Sequence, residues 1–299
     1  MKKKFINILG FTLVEILIAI VITSLMMAAM FTSYSIVNST YRQVTDRAKI
    51  SQAGRDTVGV MLREIRMAGF KYINDNIAAS DQHSPIQIYK GSGLAGTCDT
   101  IQIVYGGIKG PPDNSGIYEY ERYRITYQCI ASTKIEDSKG TGDKVKGFII
   151  TKCLEKWDSA KKEFTHNFSP SDSSLYCNEQ VLDYVQDLVF IPYDEKGKPL
   201  TSTSSDSDYT GTYIPSNDDV NDIRTIDIAL VVRSSRQFYR KDKLGNAVRK
   251  IMSIASTKNS NTRNISETDK FFRDTITVTA NARNIGLDQW STNKKKVLL

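Results

Sequence analysis

At 299 residues, with 40% hydrophobic and 24% charged side chains, the chain is long enough for one large or two small domains around a sizeable core. Its formal charge of +7 falls to +4 without Lys2, Lys3 and Lys4, and the other basic residues are dispersed among acids, which argues against a nucleic-acid-binding stripe. The four cysteines show no C-x-x-C spacing, which argues against zinc-ribbon and thioredoxin-like sites.

The chain opens on a short basic leader, residues 1–10, MKKKFINILG. From Phe11 to Phe31 it runs 21 residues with one ionisable group, Glu15. As a helix rising about 1.5 Å per residue, this stretch spans roughly 30 Å, the thickness of a bilayer's hydrocarbon core. A carboxylate inside it costs on the order of 2–3 kcal/mol unless it finds a partner. A secretory signal peptide needs a small-x-small cleavage site after the apolar run, and Met26-Met27-Ala28-Ala29-Met30-Phe31 is a poor fit. A plain membrane anchor accounts for the length and the basic flank but not for Glu15 or the Gly10-Phe11 junction.

Gly10-Phe11-Thr12-Leu13-Val14-Glu15, preceded by the lysine-rich leader and followed by an apolar helix, resembles the processing site of type IV prepilins. The resemblance implies cleavage between Gly10 and Phe11 by a membrane-embedded prepilin peptidase and N-methylation of the new Phe11 amine. It also implies an assembly role for Glu15. Two unit charges 4 Å apart attract by about 4 kcal/mol at an effective dielectric of 20. Glu15 is therefore expected to pair with the Phe11 amine of a neighbouring subunit, setting axial register, or with that of its own chain.

The helical pattern continues past the apolar stretch. Val58, Met61, Leu62 and Ile65 form one stripe, while Arg55, Arg63, Glu64 and Arg66 fall mostly off it and are expected in solvent. Met67-Ala68-Gly69 supplies a stop, with Arg66 in the last turn and Gly69 as C-terminal cap. A helix from Phe11 to Ala68 would be about 87 Å long, with Gly54 and Gly59 as places to bend. The segment Arg66-Met67-Ala68-Gly69-Phe70 resembles the helix end of PilW-type minor pilins, and J-type pseudopilins of type II secretion share the long helix and large domain.

Beyond Phe70 the period becomes two. Ile101, Ile103 and Tyr105 alternate with polar neighbours, as do Tyr123, Ile125, Tyr127 and Cys129. Short apolar runs occupy 148–150 and 188–191, the latter stopped by Pro192. Ile226 to Val232 and Ile276 to Ala282 alternate again, and Ala282-Arg283-Asn284 resembles the last strand of PilW-type proteins. No helical segments separate these strands, which disfavours a parallel sheet. The expected fold is α+β and pilin-like: a long N-terminal helix packed on antiparallel β-sheet. The expected organisation is a leader at 1–10, a transmembrane or filament-core helix at 11–31, its amphipathic continuation at 32–69, and a β-rich periplasmic domain at 70–299.

Downstream of an export segment, Cys98, Cys129, Cys153 and Cys177 are expected to form two disulfides; the sequence allows three pairings, of which the one joining chain neighbours, Cys98–Cys129 with Cys153–Cys177, is favoured. The two histidines, His83 and His166, lie in polar stretches without nucleophile spacing and are expected in solvent. Asp206, Asp208, Asp218, Asp219 and Asp222 lie in a loop expected at 201–222, without EF-hand spacing. A second loop is expected at 241–270. Tyr118 and Tyr120, on one strand face with Arg122 and Arg124, form a candidate contact strip. No catalytic motif, metal site or cofactor is expected. The expected role is a minor pilin that is inserted in the bacterial inner membrane and enters, and helps initiate, a type IV pilus. Its partners would be the prepilin peptidase, other minor pilins, the major pilin and the inner-membrane assembly platform, with no nucleic acid. The alternatives are a J-type pseudopilin and a membrane-anchored, adhesin-like binding protein.

Overall fold

With no proline before Pro85 and long runs of aliphatic residues, the N-terminal part of the chain forms a single helical element, α1 (Leu13–Met67), in the computed structural model. The structure describes residues 11–70, 83–89, 98–108, 110–112, 114, 116, 120–131, 147–166, 175–197, 199–200, 212–213, 223–237 and 271–284. The chain divides into two compact units, Met1–Ala48 and Lys49–Leu299. In the first unit, α1 presents its apolar side chains on the surface, and it contains a stretch long and apolar enough to cross a membrane.

In the second unit the end of α1 lies on a nine-stranded sheet whose pairings are all antiparallel. The strands are β1 (Ile86–Tyr89), β2 (Thr100–Ile108), β3 (Tyr120–Ala131), β4 (Phe148–Asp158), β5 (Glu163–Thr165), β6 (Tyr176–Tyr193), β7 (Thr212–Tyr213), β8 (Thr225–Gln237) and β9 (Phe271–Asn281). Their order is β7-β1-β2-β3-β4-β6-β8-β9, with β5 on β4. This is the helix-on-antiparallel-sheet, α+β architecture that the change of period indicates.

The core lies between helix and sheet. Val58, Met61, Ile65 and Ala68 of the helical segment pack with Ile86, Ile88, Ile101, Ile103, Ile125, Ile150, Leu188, Phe190, Ile228 and Leu230. Gly54 faces the sheet at β8 and β9. A β-carbon there would overlap the Ile276 Cδ1 and touch Val232 and Leu230, so the residue is a packing notch. Gly59 has nothing within 4 Å of the corresponding position.

Four expectations are corrected. Glu64 is buried rather than solvated. β6 continues through Pro192, which is opposite Ile226. The Pro192 carbonyl accepts from Leu200 N–H at 2.9 Å, away from β8, so the absent proline N–H removes no ladder bond to β8. The stretch at 201–222 contributes the short strand β7, which pairs with β1. Strand β8 is buried on both faces, with Asp227, Ala229 and Val231 covered as well as Ile226, Ile228, Leu230 and Val232. Its alternation marks two faces rather than inside and outside.

Candidate functional site

The first turn of α1 carries a reciprocal cap. Thr12 is the N-cap residue: Glu15 N–H donates to its Oγ1 at 3.3 Å, while Thr12 N–H and hydroxyl both donate to Glu15 Oε2 at 3.0 Å. This is the S/T-x-x-E capping box, written in the sequence as Thr12-Leu13-Val14-Glu15. It also places a carboxylate at the positive end of the helix dipole. Phe11 stands immediately before the helix with 83% of its surface exposed. Gly10 lies outside the described residues. Phe11, Glu15, Ile16, Ala19, Ile20, Thr23, Ser24 and Met27 line a shallow, mostly apolar groove along one helix face. The Thr23, Ser24 and Thr32 hydroxyls donate to the carbonyls of Ala19, Ile20 and Ala28 at 2.7–2.8 Å, so these groups are satisfied without water.

A second constellation fastens the end of α1 to the sheet. Glu64 reaches inward between Met61 and Ile65. Its Oε1 accepts from Lys152 Nζ of β4 at 2.6 Å, and its Oε2 accepts from the Tyr127 hydroxyl of β3 at 2.5 Å. Burial pushes the Tyr127 hydroxyl well above the ordinary tyrosine range, and the Glu64 charge and hydrogen bond push it further. Burial alone would lower the Lys152 ammonium. Hydrogen bonds to Glu64 and Tyr176, together with their charges, outweigh it and hold Lys152 above the usual lysine value. Tyr105 is raised too, first by burial and then by Glu64. The arrangement ties the end of α1 to β3 and β4. The sequence signal was present but weak: Tyr127 is on the inward face of its strand, and Glu64 borders the apolar stripe.

The helix end brings two distant motifs together. Gly69 adopts φ 75°, a left-handed cap, and its N–H donates to the Val104 carbonyl at 2.9 Å. The Asn284 side-chain amide donates to the Arg66 carbonyl at 2.9 Å, satisfying a group that the last helical turn leaves open. Arg66-Met67-Ala68-Gly69 and Arg283-Asn284, just past β9, therefore meet across 218 residues of sequence separation.

The cysteines form Cys98–Cys129 and Cys153–Cys177. Next to the first bond, Asp99 stitches the start of β2 to β6: its N–H donates to the Leu188 carbonyl at 2.8 Å, and its carboxylate accepts from Phe190 N–H at 3.0 Å. The tyrosine–arginine strip resolves differently from a free contact surface. The Arg122 guanidinium covers the Trp157 ring at 5.1 Å, and Arg124 covers Phe164 at 4.4 Å while pairing with Glu155 at 2.7 Å. His83 is half-buried, not solvated, packed against Trp157 and Phe164 with ring centroids 4.6 and 5.0 Å away. His166 is exposed, beside the Cys153 and Cys177 sulfurs. Tyr118 and Asp206, Asp208, Asp218, Asp219 and Asp222 lie outside the described residues, as does the loop at 241–270.

Residues 7–31 match the family described as the prokaryotic N-terminal methylation motif. No curated protein matches the chain. Among solved structures, the chain is similar to a type IV-like pilin from Thermus thermophilus, with a TM-score of 0.40 and 12% identity over 79% of this chain and 97% of that one.

Proposed function

We propose that this type IV prepilin-like protein is a minor pilin of the PilW type, a structural subunit rather than an enzyme. The methylation motif at 7–31, whose residues Thr12 and Glu15 close the capping box at the start of an apolar helix, supports the prepilin-like part of this reading, and the meeting of Arg66-Met67-Ala68-Gly69 with Arg283-Asn284 supports the PilW-type part. Processing by a prepilin peptidase and assembly with other pilins follow from the motif. The finer steps are insertion in the bacterial inner membrane, cutting between Gly10 and Phe11, methylation of Phe11, and entry into a type IV pilus beside the major pilin and other minor pilins. The capping box lies wholly on the mature side of that cut, so cleavage preserves it. The cut creates a positive amine one residue before the cap, and Glu15 Oε1 is the oxygen that the Thr12 bonds leave for it.

N-terminal mass spectrometry of the mature chain tests the processing. A first peptide beginning at N-methyl-Phe11 is expected; one beginning at Met1 or beyond Phe31 refutes it. Glu15→Gln keeps the size and one cap acceptor but removes the charge. It is expected to leave processing intact while lowering the subunit's recovery in pili at least about tenfold, as loss of a charge pair worth about 1.4 kcal/mol or more requires. Undiminished incorporation defeats the intersubunit role of Glu15.

A further inference from the structure

The chain's second disulfide differs from its first in its surroundings. Cys98–Cys129 belongs to the sheet's core cluster through Cys98, next to the buried Asp99. Cys153–Cys177 links β4 to β6 and has an imidazole beside it: the ligand atoms of Cys153, His166 and Cys177 all lie within 4.8 Å of one another. Cys153 is buried, Cys177 half-buried and His166 exposed, so the cluster has an inner wall and a side open to water. His166 follows β5, which extends the same edge of β4 that β6 occupies, and this places it over the two sulfurs. Among the described residues this is the one group of three or more histidine, cysteine or acidic side chains with ligand atoms so close together.

We propose that Cys153, Cys177 and His166 form a redox-gated site for a soft divalent cation of the zinc type. Two thiolates and an imidazole are the donor set such a cation prefers, at about 2.3 Å for sulfur and 2.0–2.1 Å for nitrogen. A tetrahedral ion with those bonds holds its donors roughly 3.5–4 Å apart, so shifts of about an ångström suffice from where the three atoms stand. The exposed side leaves a fourth position for water.

The site and the disulfide exclude one another, because each sulfur has one bond to give. A dithiol reductant supplies two electrons and two protons, breaking the S–S bond to two thiols and itself becoming a disulfide. Binding of the cation by those thiols then releases the two protons. A disulfide oxidant reverses the step: it takes two electrons from the two thiolates and two protons from solvent, becoming a dithiol, while the S–S bond re-forms and the ion leaves. The chain's long-range strand pairing is retained throughout, since β4 and β6 are joined by ladder bonds as well as by the disulfide.

The test uses the full chain in detergent, with and without reduction by a phosphine in the absence of oxygen, titrated with cobalt(II) and back-titrated with zinc(II). Peptide mapping identifies which disulfide has opened. The reduced chain is expected to bind one cobalt with thiolate-to-cobalt charge-transfer bands, which zinc abolishes. Cys153→Ser should remove those bands, and His166→Ala should weaken binding at least about tenfold, the scale on which lesser changes around metal sites act. His166→Cys, which restores a third soft donor, should recover the affinity. The idea is overturned if the reduced chain shows no charge-transfer band, if His166→Ala leaves the titration unchanged, or if the oxidised chain binds cobalt equally well. Loss of the β-sheet circular dichroism on opening Cys153–Cys177 also overturns it, because the site needs β4 and β6 to stay paired.

Discussion

Replacing Glu64 by leucine removes the acceptor on which two sheet residues depend. The Lys152 and Glu64 side chains are only 15% and 10% exposed, so solvent screens the pair little. Glu64→Leu strands a largely desolvated ammonium and leaves the Tyr127 hydroxyl without the partner it has at 2.5 Å. Breaking a buried pair by removing one member costs about 3–5 kcal/mol. The hydroxyl's share overlaps with that figure rather than adding to it. Against a total stability of about 5–15 kcal/mol for a domain, this is a large fraction. Removing both charges together, Glu64→Leu with Lys152→Met, takes these partners from the Tyr127 and Tyr176 hydroxyls but strands no buried charge, and should cost about 1–3 kcal/mol. Urea unfolding of the full chain in detergent, followed through Trp157 fluorescence in a Trp290→Phe background, reads both variants. The double variant should be more stable than the Glu64→Leu single variant. If Glu64→Leu lies within about 0.5 kcal/mol of the parent, or if the effects of the single variants simply add, the anchoring role of the cluster is wrong.

The same cluster makes the domain sensitive to alkali. Lys152 has its folded value raised, so its contribution is complete below the ordinary lysine value of about 10.4 and is lost as pH climbs through the raised one. Tyr127 stays protonated in the fold while the unfolded chain ionises above about pH 10, so the folded state holds more protons there and stability falls with rising pH. Urea midpoints between pH 9 and 12 should decline, and less steeply in Tyr127→Phe/Lys152→Met; equal slopes would exclude this origin. At the packing notch, Gly54→Leu should destabilise by about 1–3 kcal/mol or more through the clash with Ile276, whereas Gly59→Ala should stabilise by up to about 1 kcal/mol, since its site is open. Similar midpoints for the two variants would contradict the asymmetry.

Whatever depends on neighbours a few residues apart was readable from the chain itself. Thr12 and Glu15 are three residues apart, and their capping box is a property of that spacing. The stripe of Val58, Met61 and Ile65, the stop at Gly69 and the period-two runs of β2, β3, β8 and β9 are likewise local, and together they specify a helix on an antiparallel sheet. The short strands β1, β5 and β7 carried too few residues to show a period. Pro192 looked like a stop because the sequence cannot say on which side of a strand the next partner lies.

The tertiary structure decided which polar residues matter. Glu64 reads as a surface charge until Tyr127 and Lys152 arrive from 63 and 88 residues away to neutralise and bury it. Asn284 is a tail residue until the helix end presents the Arg66 carbonyl. His166 is a solitary histidine until β4, β5 and β6 set it over Cys153 and Cys177. Period and capping arise from backbone geometry that repeats within a turn or a pleat. The partner of a buried charge or a sulfur is fixed instead by long-range strand register, which no window along the sequence contains.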